Sequence, residues 1–412
     1  MRLLRGRSKF VAAVAVLALL FSMALGLHGL GRPGSPQLDF LAYYGAGCRL
    51  LDGESPYGFD PQTPLRMAEQ GRTMRVYAYA PNMAPVVLGL SLFSYEHALL
   101  IFNCVNVVAL IAYGLGAAAL VLRTRERAPP TLDADPDRMF KAMLVMLVAW
   151  LPPFASHSLW FGNVTAMTMA LVTWAWWLDD RGHSRWAGVL LGLAALKPPL
   201  VFLPGLWLLL QRRWQVLISA ALVVALMSLP AMFEFGGVRA WLDWAQGMKA
   251  YALTPENQPT GEGVIGLRSF LAVAGVTVPD LSLLGGVFTV LLWKYGRPLS
   301  AIMSLAFLVA ATLLCFHGHM PALLWLAIIA GGWLELAGTG AKSLAIAGVA
   351  LLAFIAPREV LRVVHAPEIV LRYRTPELLA ITLAMLWMLK QRAGARGAQL
   401  PPELPTQTPV TR

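Results

Sequence analysis

The residues able to do chemistry in this sequence are few and stand out against an apolar background. Asp39 lies in "LDFLAYYGAGCRLLDGESPY" (residues 38–57), directly after an apolar segment. Two readings fit it: a cap for the short helix "FLAYYGAGCRLL", or a general base at a membrane surface. Tyr43 is one helical turn further on and shares its face, while Gly45 and Gly47 allow close packing. Tyr77 and Tyr79 in "VYAYAPNMAPVVLGL" either anchor the chain at an interface or begin a helix that roofs a lipid-accessible groove. Lys197 sits within "GVLLGLAALKPPLVFLPGLWLLL", too far from either end to snorkel easily; it either ends a helix at an interface or holds an anionic lipid headgroup.

His317 and His319 in "LLCFHGHMPALLW" suit proton transfer or phosphate contact better than a metal, since no carboxylate or cysteine flanks them. In "NQPTGEGVIGLRSFL", Asn257, Gln258 and Arg268 suit hydroxyl and phosphate recognition, although a solvated turn-rich loop has the same composition. Asn163 in "LWFGNVTAM" contacts substrate or caps the helix after it. Cys48, Cys104 and Cys315 lack paired spacing, which leaves them as small hydrophobic residues. No metal site and no cofactor is expected.

The elements that must position these groups are membrane helices. Of 412 residues, 58% are hydrophobic and 13% charged, against about a quarter charged in soluble domains. The net charge of +11 comes from Lys and Arg in short runs between apolar segments, where they set topology; nucleic acid is a poor reading of it. Apolar segments fall near 10–30, 98–122, 139–156, 163–179, 186–211, 214–234, 280–295, 299–316, 319–337, 343–356 and 376–390. The first resembles a signal peptide but lacks a convincing cleavage site, so it is read as an uncleaved helix.

The basic runs "MRLLRGRSK", "RTRERAPP", "DDRGHSR", "QRRW", "KYGR" and "KQRAGARG" belong on the cytoplasmic side. That orientation puts both termini in the cytoplasm and leaves outer loops at 31–97, 234–264 and 357–376, with the "SHSLWFGN" and "FHGH" turns beside them. Segment 186–211 has basic residues at both ends, which two half-helices turning at Lys197-Pro198-Pro199 resolve. A single transmembrane domain, 1–392, with a disordered Pro-rich cytoplasmic tail, 393–412, follows. No internal repeat is visible.

Taken together, "LDFLAYYGAGCRLLDGESPY", "YAYAP" at 77–81, "FGNVTAM" at 161–167, "GVLLGLAALKPPLVFLP" at 188–204, the Asn257-Gln258 pair and the histidine turn resemble glycosyltransferase family 87 over most of residues 10–390. These are bacterial integral-membrane mannosyltransferases that use polyprenol-phosphate mannose. Two departures are visible: many members have Gly-Gln where this sequence has Gly162-Asn163, and Ser where it has Pro259, which bears on the acceptor pocket.

The resemblance implies an all-α polytopic GT-C type fold with about 10–12 transmembrane helices and interfacial helices in the first outer loop, set in membrane lipid. It implies hexose transfer, mannose first, from a polyprenyl-phosphate sugar to a hydroxyl of a glycolipid or glycan acceptor, with inversion, on the periplasmic face of a bacterial inner membrane. Asp39 takes the place of the catalytic carboxylate, and His319, with His317 as fallback, that of the late histidine. Lys197, Arg268, Asn257, Gln258, Tyr43, Tyr79, His317 and Asn163 are the candidates for holding the donor phosphate or substrate. The rival reading is a transporter or flippase for a lipid-linked glycan, which should show matching broken helices in two halves; the sequence offers one broken pair. A structural or assembly protein would not require Asp39 and Lys197 to meet.

Overall fold

In the computed structural model, which describes residues 16–30, 37–57, 77–122, 136–295, 299–355 and 358–397, the chain is an all-α polytopic membrane protein. Helix α1 covers Val16–Leu30. The start of the expected first segment, and residues 31–36 and 58–76 of the first expected outer loop, lie outside the described residues. Next come α2 (Leu38–Leu51), α3 (Ala84–Ser91) and the long α4 (Tyr95–Leu122). α2 and α3 meet backbone to backbone, because a Cβ on Gly47 would stand 2.2 Å from the Val87 carbonyl oxygen. Gly45, expected to serve the same packing, has nothing within 4 Å of its Cβ position.

Helices α5 (Pro136–Ala149) and α6 (Pro152–Phe161) form a pair bent by 45°. In sequence, 139–156 reads as one uninterrupted segment and only one broken pair is expected; the structure corrects both points. The physical reason is Pro152-Pro153, two residues without N–H groups that start a new helix rather than extend the old one.

Then come α7 (Thr165–Asp180), α8 (Ser184–Ala194), α9 (Pro198–Leu210) and α10 (Trp214–Glu234). The break at Lys197 is as expected, with Lys197 as the residue that precedes α9. Gly188 abuts Val216 and Ser219, and Gly192 abuts Ala220 and Val223, so α8 and α10 run parallel. Since α10 starts where α9 ends, α9 must return to the end of the bundle from which α8 set out. Arg213 and Asp179 pair there at 3.5 Å. The two arms measure about 16 and about 20 Å at 1.5 Å per residue, each shorter than a hydrocarbon core of about 30 Å. Lys197 therefore stands at the apex of a re-entrant turn.

The rest comprises α11 (Arg239–Leu253), β1 (Val264–Ile265), α12 (Leu267–Val273), α13 (Ser282–Tyr295), α14 (Ala301–Cys315), β2 (Gly318–His319), α15 (Leu326–Ala337), α16 (Ala341–Ile355), α17 (Arg358–Val363), α18 (Glu368–Leu371) and α19 (Arg374–Gly397). Residues 393–397 of the expected tail are thus helical, and 398–412 lie outside the described residues.

Among the described residues, α4, α10 and the run Met320–Ala337 are each long and apolar enough to cross a membrane, and the bent pair α5–α6 adds a fourth if its two halves count as one span. Helices α1, α9, α13, α14 and α16 are shorter apolar helices. α14 forms the centre of the bundle: every residue from Ile302 to Leu314 is buried. The outer surface is apolar as well, with Leu100, Val108 and Leu115 of α4 and Leu222, Leu226 and Phe233 of α10 all exposed. Lipid is the solvent that suits such a surface.

The bundle has two chemically different ends. Asp179 with Arg213, Asp137 with Lys141 and Thr339, and Ser300 with Glu335 mark one. At the other, α2, α3 and the 77–83 segment form a separate aromatic layer around Phe40, Tyr43, Tyr57, Tyr77 and Phe102. That layer lies over the apex of the re-entrant turn, with Leu196 in its core.

Candidate active site

Asp39 is the second residue of α2, and the position before the helix belongs to Gln37, in the left-handed region at φ 42° without a side-chain cap. The capping reading of Asp39 is therefore replaced. Its carboxylate lies in the first helical turn, where unpaired backbone N–H groups favour a negative charge.

What the carboxylate meets is Asn163, from 124 residues away: Asn163 Nδ2 donates to Asp39 Oδ2 at 2.5 Å. The other end of that amide is fully occupied. Asn163 Oδ1 accepts from the Thr165 backbone N–H at 2.8 Å, from the Thr165 hydroxyl, and from Lys197 Nζ at 3.2 Å. Lys197 Nζ also donates to Thr165 Oγ1 at 2.7 Å. A backbone N–H and an ammonium can only donate, so chemistry fixes the amide with its oxygen toward Lys197 and its nitrogen toward Asp39. The oxygen thus serves the start of α7 while the nitrogen holds the carboxylate. Asp39 and Lys197 lie within range of charge–charge attraction.

Gly162 makes this meeting possible. It ends α6 in the left-handed conformation at φ 63°, and its Cβ would stand 2.7 Å from Gln37 Oε1 and 2.9 Å from Phe40 Cβ. Gly162→Ala is therefore expected to cost about 1–2 kcal/mol of backbone strain, with steric cost added, and to push α2 away from Asn163. A lowered melting temperature of the purified protein would check it.

Two tyrosines roof the carboxylate. Tyr43, wholly buried, donates from its hydroxyl to the Tyr79 hydroxyl at 2.6 Å, and the rings meet edge to face at 4.8 Å. Tyr79 also hydrogen-bonds Asn163. Its segment is pinned by Tyr57, which donates to the Tyr79 carbonyl at 2.9 Å, and by Trp244, which donates to the Ala78 carbonyl at 3.2 Å. Burial pushes both phenols well above their usual range, and the nearby Asp39 charge pushes the same way, so they remain protonated hydrogen-bond donors.

The histidine turn approaches Lys197 from another side. His317 and His319 face each other with Nε2 atoms 3.3 Å apart. Burial pushes the His317 imidazole below its usual range; the Arg268 cation adds to this, Asp280 opposes it, and Lys197 adds a smaller push downward. The turn is held by the β1–β2 ribbon, in which Val264 pairs with His319 and Ile265 with Gly318. Arg268 lies on α12, immediately after that ribbon, and pairs with Asp280 at 4.0 Å.

The structure thus joins Asp39, Tyr43, Tyr79, Asn163 and Lys197 directly, and links Lys197 through space to His317, with His319 and Arg268 beside it. Asn257 and Gln258 do other work. Asn257 Nδ2 donates to the Tyr251 carbonyl and the Thr254 hydroxyl, and Gln258 Nε2 to the Ala252 carbonyl, so both amides shape their own loop. Thr165 is absent from the candidates read in sequence; its signal there is Asn163-Val164-Thr165, an Asn two residues before a helix's first N–H.

No curated protein matches the chain. The family model of glycosyltransferase family 87 matches residues 77–316, which takes in Tyr79, Asn163, Lys197 and Arg268, begins after Asp39 and stops just before His317. Because that match covers more than half of the 412 residues, the chain belongs to glycosyltransferase family 87.

Proposed function

We propose that this glycosyltransferase moves a hexose, mannose in the first instance, from a polyprenyl-phosphate sugar to an acceptor hydroxyl at the outer face of a bacterial plasma membrane, with a GT-C type architecture and with inversion. The observation that carries the reading is the carboxylate and the ammonium held at opposite ends of one amide, at the apex of a re-entrant turn. Such a donor brings its own membrane anchor and a leaving group that is already an anion. Asp39 takes the proton of the acceptor hydroxyl as its oxygen attacks the anomeric carbon. The bond from that carbon to the phosphate oxygen breaks, and its electron pair leaves with polyprenyl phosphate. Lys197 uses two N–H groups on Asn163 and Thr165, so its third can meet a phosphate oxygen. Arg268, His317 and His319 supply further donors on the same side. The positive-inside rule places the Asp179 and Arg213 end, and both termini, in the cytoplasm.

The second break, at α5–α6, is the one observation that favours the transporter or flippase reading. Membranes with and without the protein, supplied with labelled polyprenyl-phosphate mannose, separate the two. Label appearing in a glycolipid or glycan supports transfer; label moved across the bilayer with the donor intact refutes it. A parallel arm with polyprenyl-phosphate arabinofuranose tests the sugar.

A further inference from the structure

A second polar site lies at the junction of α17, α18 and α19, in a stretch that reads in sequence only as an outer loop. A small open pocket there is lined by Glu262, Ile265, Met320, Arg358, Arg372 and Arg374, among others, and includes none of the residues around Asp39. Its arginines differ in how well they are used. Arg372 is consumed by the fold: it donates to the carbonyls of Thr260 at 2.8 Å and Val264 at 2.7 Å and to Ser269 Oγ at 3.2 Å. Arg374 gives Nε to the Phe354 carbonyl at 3.0 Å but one Nη to the sulfur of Met320, a weak acceptor.

Arg358 is the least satisfied. Its side chain is only 12% exposed, it reaches Glu262 and Glu368 at 3.7 and 3.8 Å, and its buried Nε and Nη2 have no hydrogen-bond partner among the described residues. Leaving desolvated guanidinium donors without hydrogen bonds is costly, and a phosphate, with several strong acceptor oxygens, removes that cost. Among the described residues that line the pocket, Arg358, Arg372 and Arg374 carry positive charge and Glu262 carries negative charge. Glu262, flanked by Gly261 and Gly263 and itself exposed, reaches in to pair with Arg358 and Arg362 and so competes for the place an anion would take.

The surroundings name the kind of anion. Val360 and Val363 on α17, which Arg358 starts, Val364 just after it, and Ile369 and Val370 on α18, which Leu371 ends, are exposed, and apolar α16 ends where α19 begins, at the Phe354–Arg374 bond. A cationic pocket edged by apolar surface at the end of membrane helices suits a charged head with acyl chains attached. We propose that Arg358, with Arg374 beside it, forms a second anion site that takes the phosphate of a lipid headgroup, separate from the Asp39 and Lys197 centre.

The test reads binding rather than sugar transfer. Purified full-length protein in neutral detergent is titrated with dioctanoyl phosphatidylglycerol, dioctanoylglycerol and inorganic phosphate, and bound ligand is counted by native mass spectrometry. Phosphatidylglycerol should bind the natural protein at least tenfold more tightly than Arg358→Gln, with Arg358→Lys intermediate, and dioctanoylglycerol should not compete. Glu262→Gln should bind it more tightly than the natural protein, which provides a gain that misfolding cannot imitate. Inorganic phosphate binding as tightly as the lipid, with the same dependence on Arg358, supports the anion site with a free phosphate as its source. Equal lipid binding by the natural protein, Arg358→Gln and Glu262→Gln, or full competition by dioctanoylglycerol, would overturn the proposal.

Discussion

Asp39→Asn is expected to abolish sugar transfer from a polyprenyl-phosphate donor while protein abundance in the membrane stays unchanged. The substitution keeps the size of the side chain and an oxygen able to accept the Asn163 Nδ2 hydrogen bond, so the contact between α2 and the start of α7 can survive. What disappears is the one group in this cluster able to take a proton from an acceptor hydroxyl. Loss of a general base typically costs about 10²–10⁴ in rate, and loss of the negative charge also removes the attraction that helps hold the Lys197 ammonium in place. The measurement is transfer of label in membranes, normalised to protein by immunoblot. Undiminished transfer would sink the assignment of Asp39 as base. Reduced abundance with normal specific transfer would instead show that Asp39 matters only as a helix residue.

Much of this arrangement is legible in the sequence, and the parts that are not share a physical reason. The re-entrant turn at Lys197 can be read because charge imposes it: basic residues at both ends of an apolar segment are incompatible with one straight span. The bend at α5–α6 carries the same Pro-Pro pair, at Pro152-Pro153, but no charge conflict calls attention to it within an apolar run. Asp39 is legible as a candidate, yet the group that holds its carboxylate is Asn163, a partner 124 residues away that no local pattern announces. Asn257 and Gln258 show the converse, since polar residues in a turn-rich loop satisfy that loop's own backbone. The arginines at 358, 372 and 374 look in sequence like loop charges, and only folding shows that their guanidinium groups are turned inward.

Lys197→Met is the second substitution with a large expected effect, and it separates the chemistry from the architecture. Methionine matches the length and apolar stem of lysine, and the apex of the turn is otherwise set by Pro198-Pro199 and the glycine contacts between α8 and α10, so the fold should persist. Asn163 Oδ1 would still accept from the Thr165 backbone N–H and hydroxyl, so no buried acceptor is stranded. The loss falls on the cation. Removing a preorganised donor to a charge that develops during reaction costs on the order of 10²–10³ in kcat, and in the proposed reaction that charge is the phosphate released as the sugar moves. If Lys197 serves the leaving group, kcat should fall far more than the apparent affinity for the donor, and Lys197→Arg should recover part of it. A weakened KM with unchanged kcat would assign Lys197 to donor binding alone. Unchanged transfer by Lys197→Met would leave the ammonium a structural strut, and the phosphate would then have to be met by Arg268 and the histidine turn.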